Sequence, residues 1–163
     1  MENYSVRRAD RVSLEKLWNK NIALHAGDPS WQRCKDEFIG YNERGEGVSF
    51  ILFWRDEPVG EITLLTSSKC RPIAGRTFLA DGRKISNINA LRIDEGHRGK
   101  GLATRLILAA EEFARENGFE KINLGVEAKE AKNVAIYLHL GYTEFIYHEI
   151  YDGSLILYYS KDL

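Results

Sequence analysis

Between Leu91 and Phe119 the chain changes its period within a few residues. LRI ends an alternating run, DEGHRGKG supplies three glycines, two of them beside the cations Arg98 and Lys100, and LATRLILAAEEFARENGF then repeats apolar residues at helical spacing. Leu102, Leu106, Ala110, Phe113 and Ala114 fall on one face, so a helix is expected over Gly101 to Asn117, with Gly118 as its C-terminal cap. A strand must therefore feed a long amphipathic helix through a basic, glycine-bearing turn. The first amides of a helix have no partner inside it and carry the positive end of the peptide dipoles. Glycines there let the main chain come close to a phosphate, so the seam has the chemistry of a pyrophosphate cradle. It is neither a Walker loop, because GxxxxGK[ST] is absent, nor GxGxxG, because no third glycine follows Gly101 at the required spacing.

The segments around the seam read as a mixed α/β domain. A short strand at Tyr4 to Arg8 precedes a helix over Val12 to Leu24, which places Leu14, Leu17, Trp18 and Ile22 on one face. Asp28 and Pro29 suggest an N-cap and first helical residue for a second helix, with Trp31, Cys34 and Phe38 at helical spacing and an end by Asn42. Val48 to Trp54 and Val59 to Leu65 form an expected antiparallel hairpin turned at Asp56 to Pro58. Residues 68 to 86 are irregular and carry Lys69, Arg71, Arg76, Arg83 and Lys84 against the single anion Asp81, which predicts an insertion or mobile loop. Strands follow at Asn87 to Ile93 and Lys121 to Val126, then a short helix over Asn133 to Leu140. A final pair of strands, Tyr142 to Tyr151 and Ser154 to Ser160, is joined by Asp152-Gly153.

With 163 residues, 44% hydrophobic, the chain suits one globular domain, 1–163. Its 23 Lys and Arg balance 24 Asp and Glu, leaving no overall attraction to nucleic acid or anionic membrane, so any anion site is local. Association of nucleic acid with residues 69–84 would be strongly salt-dependent and has no motif behind it. The start of the chain lacks a secretory h-region, no window is long enough for a membrane span, and Cys34 and Cys70 lack metal or disulfide spacing. The expected location is cytoplasmic. The four histidines show no ligand spacing, so no metal is expected.

R-x-x-G-x-A at Arg98 to Ala103, the strand and helix around it, KINLGV, and N-x-A-x-Y-L-x-L-G-Y at Asn133 to Tyr142 together resemble the GCN5-related N-acetyltransferase (GNAT) superfamily over Asn87 to Tyr142. The resemblance implies a central, mostly antiparallel sheet flanked by helices and an acetyl-CoA cosubstrate. It implies that Arg98, Gly99, Lys100, Gly101, Leu102 and Ala103 hold the pyrophosphate through their main chain, with Thr104 adding a hydroxyl. By the same resemblance, Leu91 and Ile93 pair with the pantetheine arm, Asn133 contacts that arm, and Tyr137 protonates the leaving thiolate. A phenol of reference pKa about 10 can donate to a thiolate of about 8.5. Read without the resemblance, Asn133 is a plain helix N-cap and Tyr137 the edge of a core.

The implied activity is transfer of an acetyl group to a primary amine by direct attack in a ternary complex, with an acyl-CoA-binding sensor as the alternative. Family members often carry a basic carboxylate on a central strand, but Ile88 to Ile93 has none. Glu61, Glu127 or a water chain are the remaining routes for the amine proton. The acceptor is open, whether a small amine, an amino acid, an antibiotic or a protein N-terminus. The basic stretch would disfavour polycations if it lines the acceptor cleft, whereas Glu61, Glu127, Glu144 and Glu149 would favour them if they converge. A homodimer formed through the tail strands, Tyr142 to Ser160, is also possible on this reading.

Overall fold

The seam stands at the centre of a seven-stranded sheet in the computed structural model, which describes residues 3–163. In chain order the elements are β1 (Tyr4–Arg8), α1 (Arg11–Leu24), α2 (Ser30–Arg44), β2 (Gly47–Trp54), β3 (Glu57–Leu65), β4 (Ile85–Ile93), α3 (Leu102–Glu116), β5 (Lys121–Glu127), α4 (Ala131–His139), β6 (Glu144–Tyr151) and β7 (Ser154–Asp162). The sheet order is β1-β2-β3-β4-β5-β7-β6, antiparallel at every step except β4 to β5. That parallel step requires a crossover, and α3 is the crossover. Because β7 inserts between β5 and β6, only β6 of the tail strands leaves an open edge.

Alternation along the strands divides the apolar residues between two faces. On one face Leu102, Leu106, Ile107, Ala110 and Ala114 of α3 pack on Val48 and Leu52 of β2, Ile62 and Leu64 of β3, Ile88 of β4, and Ile122, Leu124 and Val126 of β5. On the other, Leu14, Leu17 and Trp18 of α1 and Phe38, Ile39 and Tyr41 of α2 pack on Ile51, Phe53 and Leu65. Helix α1 starts one residue earlier than its periodicity suggests because Asp10 caps it, its carboxylate accepting from the Ser13 amide at 2.7 Å. At α2 the Asp28 carboxylate accepts from the Ser30 amide at 3.0 Å, and the helix runs past Asn42 to Arg44, where Gly45 at φ 71° closes it.

The stretch between β3 and β4 departs from expectation. It is built into the second core rather than standing off as an insertion, and Cys70, Ile73, Leu79 and Ala80 are buried beneath α1 and α2. Three of its five cations are tethered as well: Arg71 pairs with Glu37 at 2.8 Å, Arg76 with Glu149 at 2.7 Å and Lys84 with Glu120 at 3.0 Å. Burial pushes the Cys70 thiol up to about 11, so it stays protonated at neutral pH.

Two features of β4 set the site. Its pairing with β5 covers only Ile85 to Ile88, against Lys121 to Leu124, and beyond that point the two parallel strands have no ladder between them. At the same place the register with β3 slips, so that Ala90 and Leu91 lie between the pairs Thr63↔Asn89 and Glu61↔Arg92, and Ala90 takes φ 51°. This is a bulge, and it changes parity. Leu91 and Ile93 join Ile88 on the α3 face, while Ala90 and Arg92 turn toward α1 and α2. A left-handed conformation costs an L-residue about 1–2 kcal/mol and a β-branched one more. Ala90→Val is therefore expected to lower stability by about 2 kcal/mol in thermal or urea melts, and Ala90→Gly to leave it within about 1 kcal/mol of the parent.

Candidate active site

The loop after β4 descends through a single 3-10 turn, Glu95–His97, and enters α3 at Leu102. Gly99 and Gly101 take φ 76° and 72°. A Cβ at either would meet nothing within 4 Å, so glycine is needed there for its backbone conformation rather than for space. Among the described residues no side chain caps α3. Among the described residues, the amides from Gly99 to Thr104 meet no protein acceptor. Six neighbouring main-chain donors thus stand together at the positive end of a 15-residue helix, a setting that favours an anion. The Arg98 side chain turns back instead, its Nε donating to the Ile93 carbonyl at 2.8 Å, and so ties the loop to the end of β4. Lys100 Nζ lies 3.3 Å from the Tyr4 hydroxyl, which is itself 2.7 Å from His97 Nδ1, anchoring the turn to β1.

From this turn the unpaired half of β4 leads into a cleft of about 860 Å³. Leu91, Leu124 and Gly125 border it where β4 and β5 part, and Tyr137 borders it from α4. Gly125 has no room for a side chain, because a Cβ would fall 2.9 Å from the Tyr158 ring that forms part of the same wall. Desolvation, reinforced by Glu130, raises the Tyr137 phenol above its ordinary value, which keeps it a proton donor at neutral pH. Asn133 is the third residue of α4, not its N-cap; Glu130 occupies that position, and Asn133 Nδ2 donates to the Glu130 carboxylate at 2.5 Å.

The carboxylates do not converge. Glu127 lies near Lys129 at 3.5 Å, Glu144 pairs with Lys121 at 3.3 Å, and of the four only Glu149 borders the cleft, held by Arg76 and by the Tyr158 hydroxyl at 2.7 Å. Burial and that hydrogen bond push the Tyr158 phenol up to about 12. Glu61 is 0% exposed and paired with Arg92, which separates it from the cleft. Burial raises its carboxyl and the Arg92 guanidinium opposes the rise. Arg92 itself borders the cleft, with its guanidinium carbon 4.2 Å from the Trp18 ring centroid and 5.1 Å from that of Trp31.

The sequence reading passes over Arg92 and the aromatic wall of Tyr147 and Tyr158, which line the cleft, while Arg71 and Arg76 of the basic stretch border it as one of its alternatives had them. A signal for Arg92 is present in INALRI, where apolar residues at 88, 91 and 93 skip a position and so announce a bulge.

A sheet that opens between its two parallel strands, above an uncapped helix start, is the architecture of N-acetyltransferases. Residues 14–142 match the Acetyltransferase (GNAT) family, and the chain belongs to that family. It is 29% identical over 117 residues to the uncharacterised N-acetyltransferase YobR of Bacillus subtilis, covering 69% of this chain and 46% of that protein. The chain spans about half the length of the curated relatives it matches. An acetyltransferase from Streptococcus agalactiae superposes with a TM-score of 0.71 at 19% identity over 100% of both chains. The Salmonella typhimurium protein yncA, solved with its cofactor acetyl-CoA, gives 0.70 at 14% identity over 99% of this chain and 94% of its own.

The buried pair beneath the cleft is structural as well as electrostatic. Removing the anion from a buried ion pair typically costs about 3–5 kcal/mol, and part of that is recovered here because Arg92 reaches solvent. Glu61→Ala is expected to lose about 3 kcal/mol in urea unfolding, whereas Glu61→Gln, which keeps an acceptor for Arg92, is expected to lose less than half of that.

Proposed function

We propose that the chain is an acetyl-CoA-dependent N-acetyltransferase that moves an acetyl group to a primary amine by direct attack. The observation that carries this is the continuity of three features: uncapped amides from Gly99 to Thr104, the unpaired edge of β4 at Leu91 and Ile93, and the cleft beside Tyr137. The main chain of Arg98 to Ala103, with the Thr104 hydroxyl, would hold the pyrophosphate. A strand with no ladder partner has free amide and carbonyl groups to offer the pantetheine arm. Asn133, in the first turn of α4, would reach the arm from the other side of the gap. The bulge at Ala90 re-aims main-chain groups at the place where a thioester would lie, and an amide there would stabilise negative charge developing on its oxygen.

In the reaction, the neutral amine forms a bond to the thioester carbonyl carbon and the carbon–sulfur bond breaks. The thiolate leaves with the bonding pair and takes the phenolic proton of Tyr137, while the amine gives up one proton that solvent returns to the Tyr137 phenolate, so the products are an amide and free thiol. Glu61 is committed to Arg92 and Glu127 lies outside the cleft, so we assign the amine proton to water in the open cleft and give Glu61 the task of holding Arg92.

Tyr137→Phe is expected to lower kcat about 10- to 100-fold, the low end of general-acid effects because a thiolate already leaves readily, with coenzyme A affinity unchanged in calorimetry. Because the Tyr137 phenol is raised above its usual value near 10, the wild-type rate should climb with pH as the acceptor amine deprotonates and should not fall again below about pH 10. A descending limb near pH 7 would contradict that assignment. Gly101→Val, which forces a β-branched residue into the left-handed region, should weaken coenzyme A binding by about 10-fold or more with the fold retained in far-ultraviolet circular dichroism.

A further inference from the structure

Of the three arginines that border the cleft, two are committed to the protein. Arg76 donates through all three nitrogens, to the Ile73 carbonyl at 3.0 Å, to Glu149 at 2.7 Å and to the Pro72 carbonyl at 2.8 Å. Arg71 is held by both oxygens of Glu37, at 2.9 and 2.8 Å, and by Cys34 Sγ at 3.5 Å. Arg92 differs. Its Nη2 donates to Glu61 and its Nε is buried without an acceptor, while among the described residues Nη1 has no acceptor and is not buried. A guanidinium carries five N–H donors, and the two on Nη1 are unspent. It is nonetheless fixed in place, by the faces of Trp18 and Trp31 and by a carboxylate that is 0% exposed. Its side chain is 29% exposed where it borders the cleft.

The bulge at Ala90 decides which molecule this guanidinium meets. Arg92 points to the α1 and α2 face, whereas α3, whose first turn offers the phosphate site, packs on the opposite face. Arg92 is therefore placed for the acceptor and not for the cofactor phosphates. It lies two residues from the bulge that aims at the thioester, so an anionic group held there belongs to the same small molecule as the attacking amine. Phe38, Tyr147 and Tyr158 beside Trp18 give the cleft a large aromatic surface, and its one carboxylate, Glu149, is held by Arg76.

We infer that the acceptor is a free amino acid with a large apolar or aromatic side chain, whose carboxylate is bound by Arg92 while its α-amine faces the thioester. This rests on the cofactor reading above. Guanidinium and carboxylate match in shape and charge, and a hydrogen bond between charged partners favours binding about tenfold or more. Glu61 acts as the positioning residue that keeps Arg92 aimed.

The test is calorimetry on the protein saturated with coenzyme A, titrated with L-phenylalanine, with its C-terminal amide and with phenethylamine. The expected result is that the amino acid binds at least about tenfold more tightly than the other two. In the Arg92→Gln/Glu61→Gln double variant, which avoids leaving a buried charge without its partner, the three should bind alike while the heat from coenzyme A is preserved. Equal or tighter binding of phenethylamine, no binding of any of the three, or a preference for the carboxylate that survives in the double variant would each overturn the inference with the cofactor reading intact. Absence of heat from coenzyme A itself would instead overturn the cofactor reading, and this inference with it.

Discussion

The whole arrangement depends on the parting of β4 from β5 after Ile88 and Leu124. Two parallel strands that stay paired would close the centre of the sheet and leave α3 starting over a surface of satisfied backbone groups. Once they part, the amides and carbonyls of residues 89–93 lose their ladder on that side, and unpaired main chain is costly unless something polar takes its place. The crossover then brings the start of α3 to the same end of the gap, with its own uncapped amides. A long ligand with an anionic end and an amide-bearing arm satisfies both sets of groups together. Site and instability thus share one origin, and the surrounding packing compensates: α3 is anchored by five buried apolar residues spread along its length.

The second consequence concerns charge. The cleft is framed by arginines, yet each has a carboxylate partner, Glu37 for Arg71, Glu149 for Arg76 and Glu61 for Arg92, so a nearly neutral chain maintains a cationic lining without an unbalanced field. The partners differ in depth. Glu37 and Glu149 are 24% exposed and Glu61 is 0% exposed, which makes the Arg92 pair the one in which desolvation matters most and where loss of either member leaves the other most exposed energetically. The loop between β3 and β4 contributes two of the three arginines, and burial of its Cys70, Ile73, Leu79 and Ala80 gives them a rigid base.

Much of this was legible in the sequence because it rests on local rules. The amphipathic spacing of α3, the glycines at positive φ and the hairpin at Asp152-Gly153 follow from periodicity and backbone sterics, and they place the start of α3 within a residue of where the structure has it. Tertiary effects were harder to read. The buried loop looked like an insertion because its five cations face a single anion and its apolar residues keep no helical or strand spacing, and its packing depends on surfaces supplied by α1 and α2, distant in sequence. The partnership of Glu61 with Arg92 is set by strand register and by a bulge at a non-glycine residue, so the carboxylate reads as a base candidate until the cross-strand cation is seen. Asn133 read as an N-cap because its helix starts two residues earlier, at a turn whose cap residue, Glu130, makes no side-chain capping bond.

The central claim is that main-chain amides at the start of α3 grip a diphosphate. Amide chemical shifts measured by nitrogen-15 NMR during titration with coenzyme A address it directly. The account predicts large downfield proton shifts, the mark of hydrogen bonding to phosphate oxygens, at Gly99, Gly101, Leu102 and Ala103. Saturable binding with those four resonances unmoved, and the changes located elsewhere on the sheet, would contradict it.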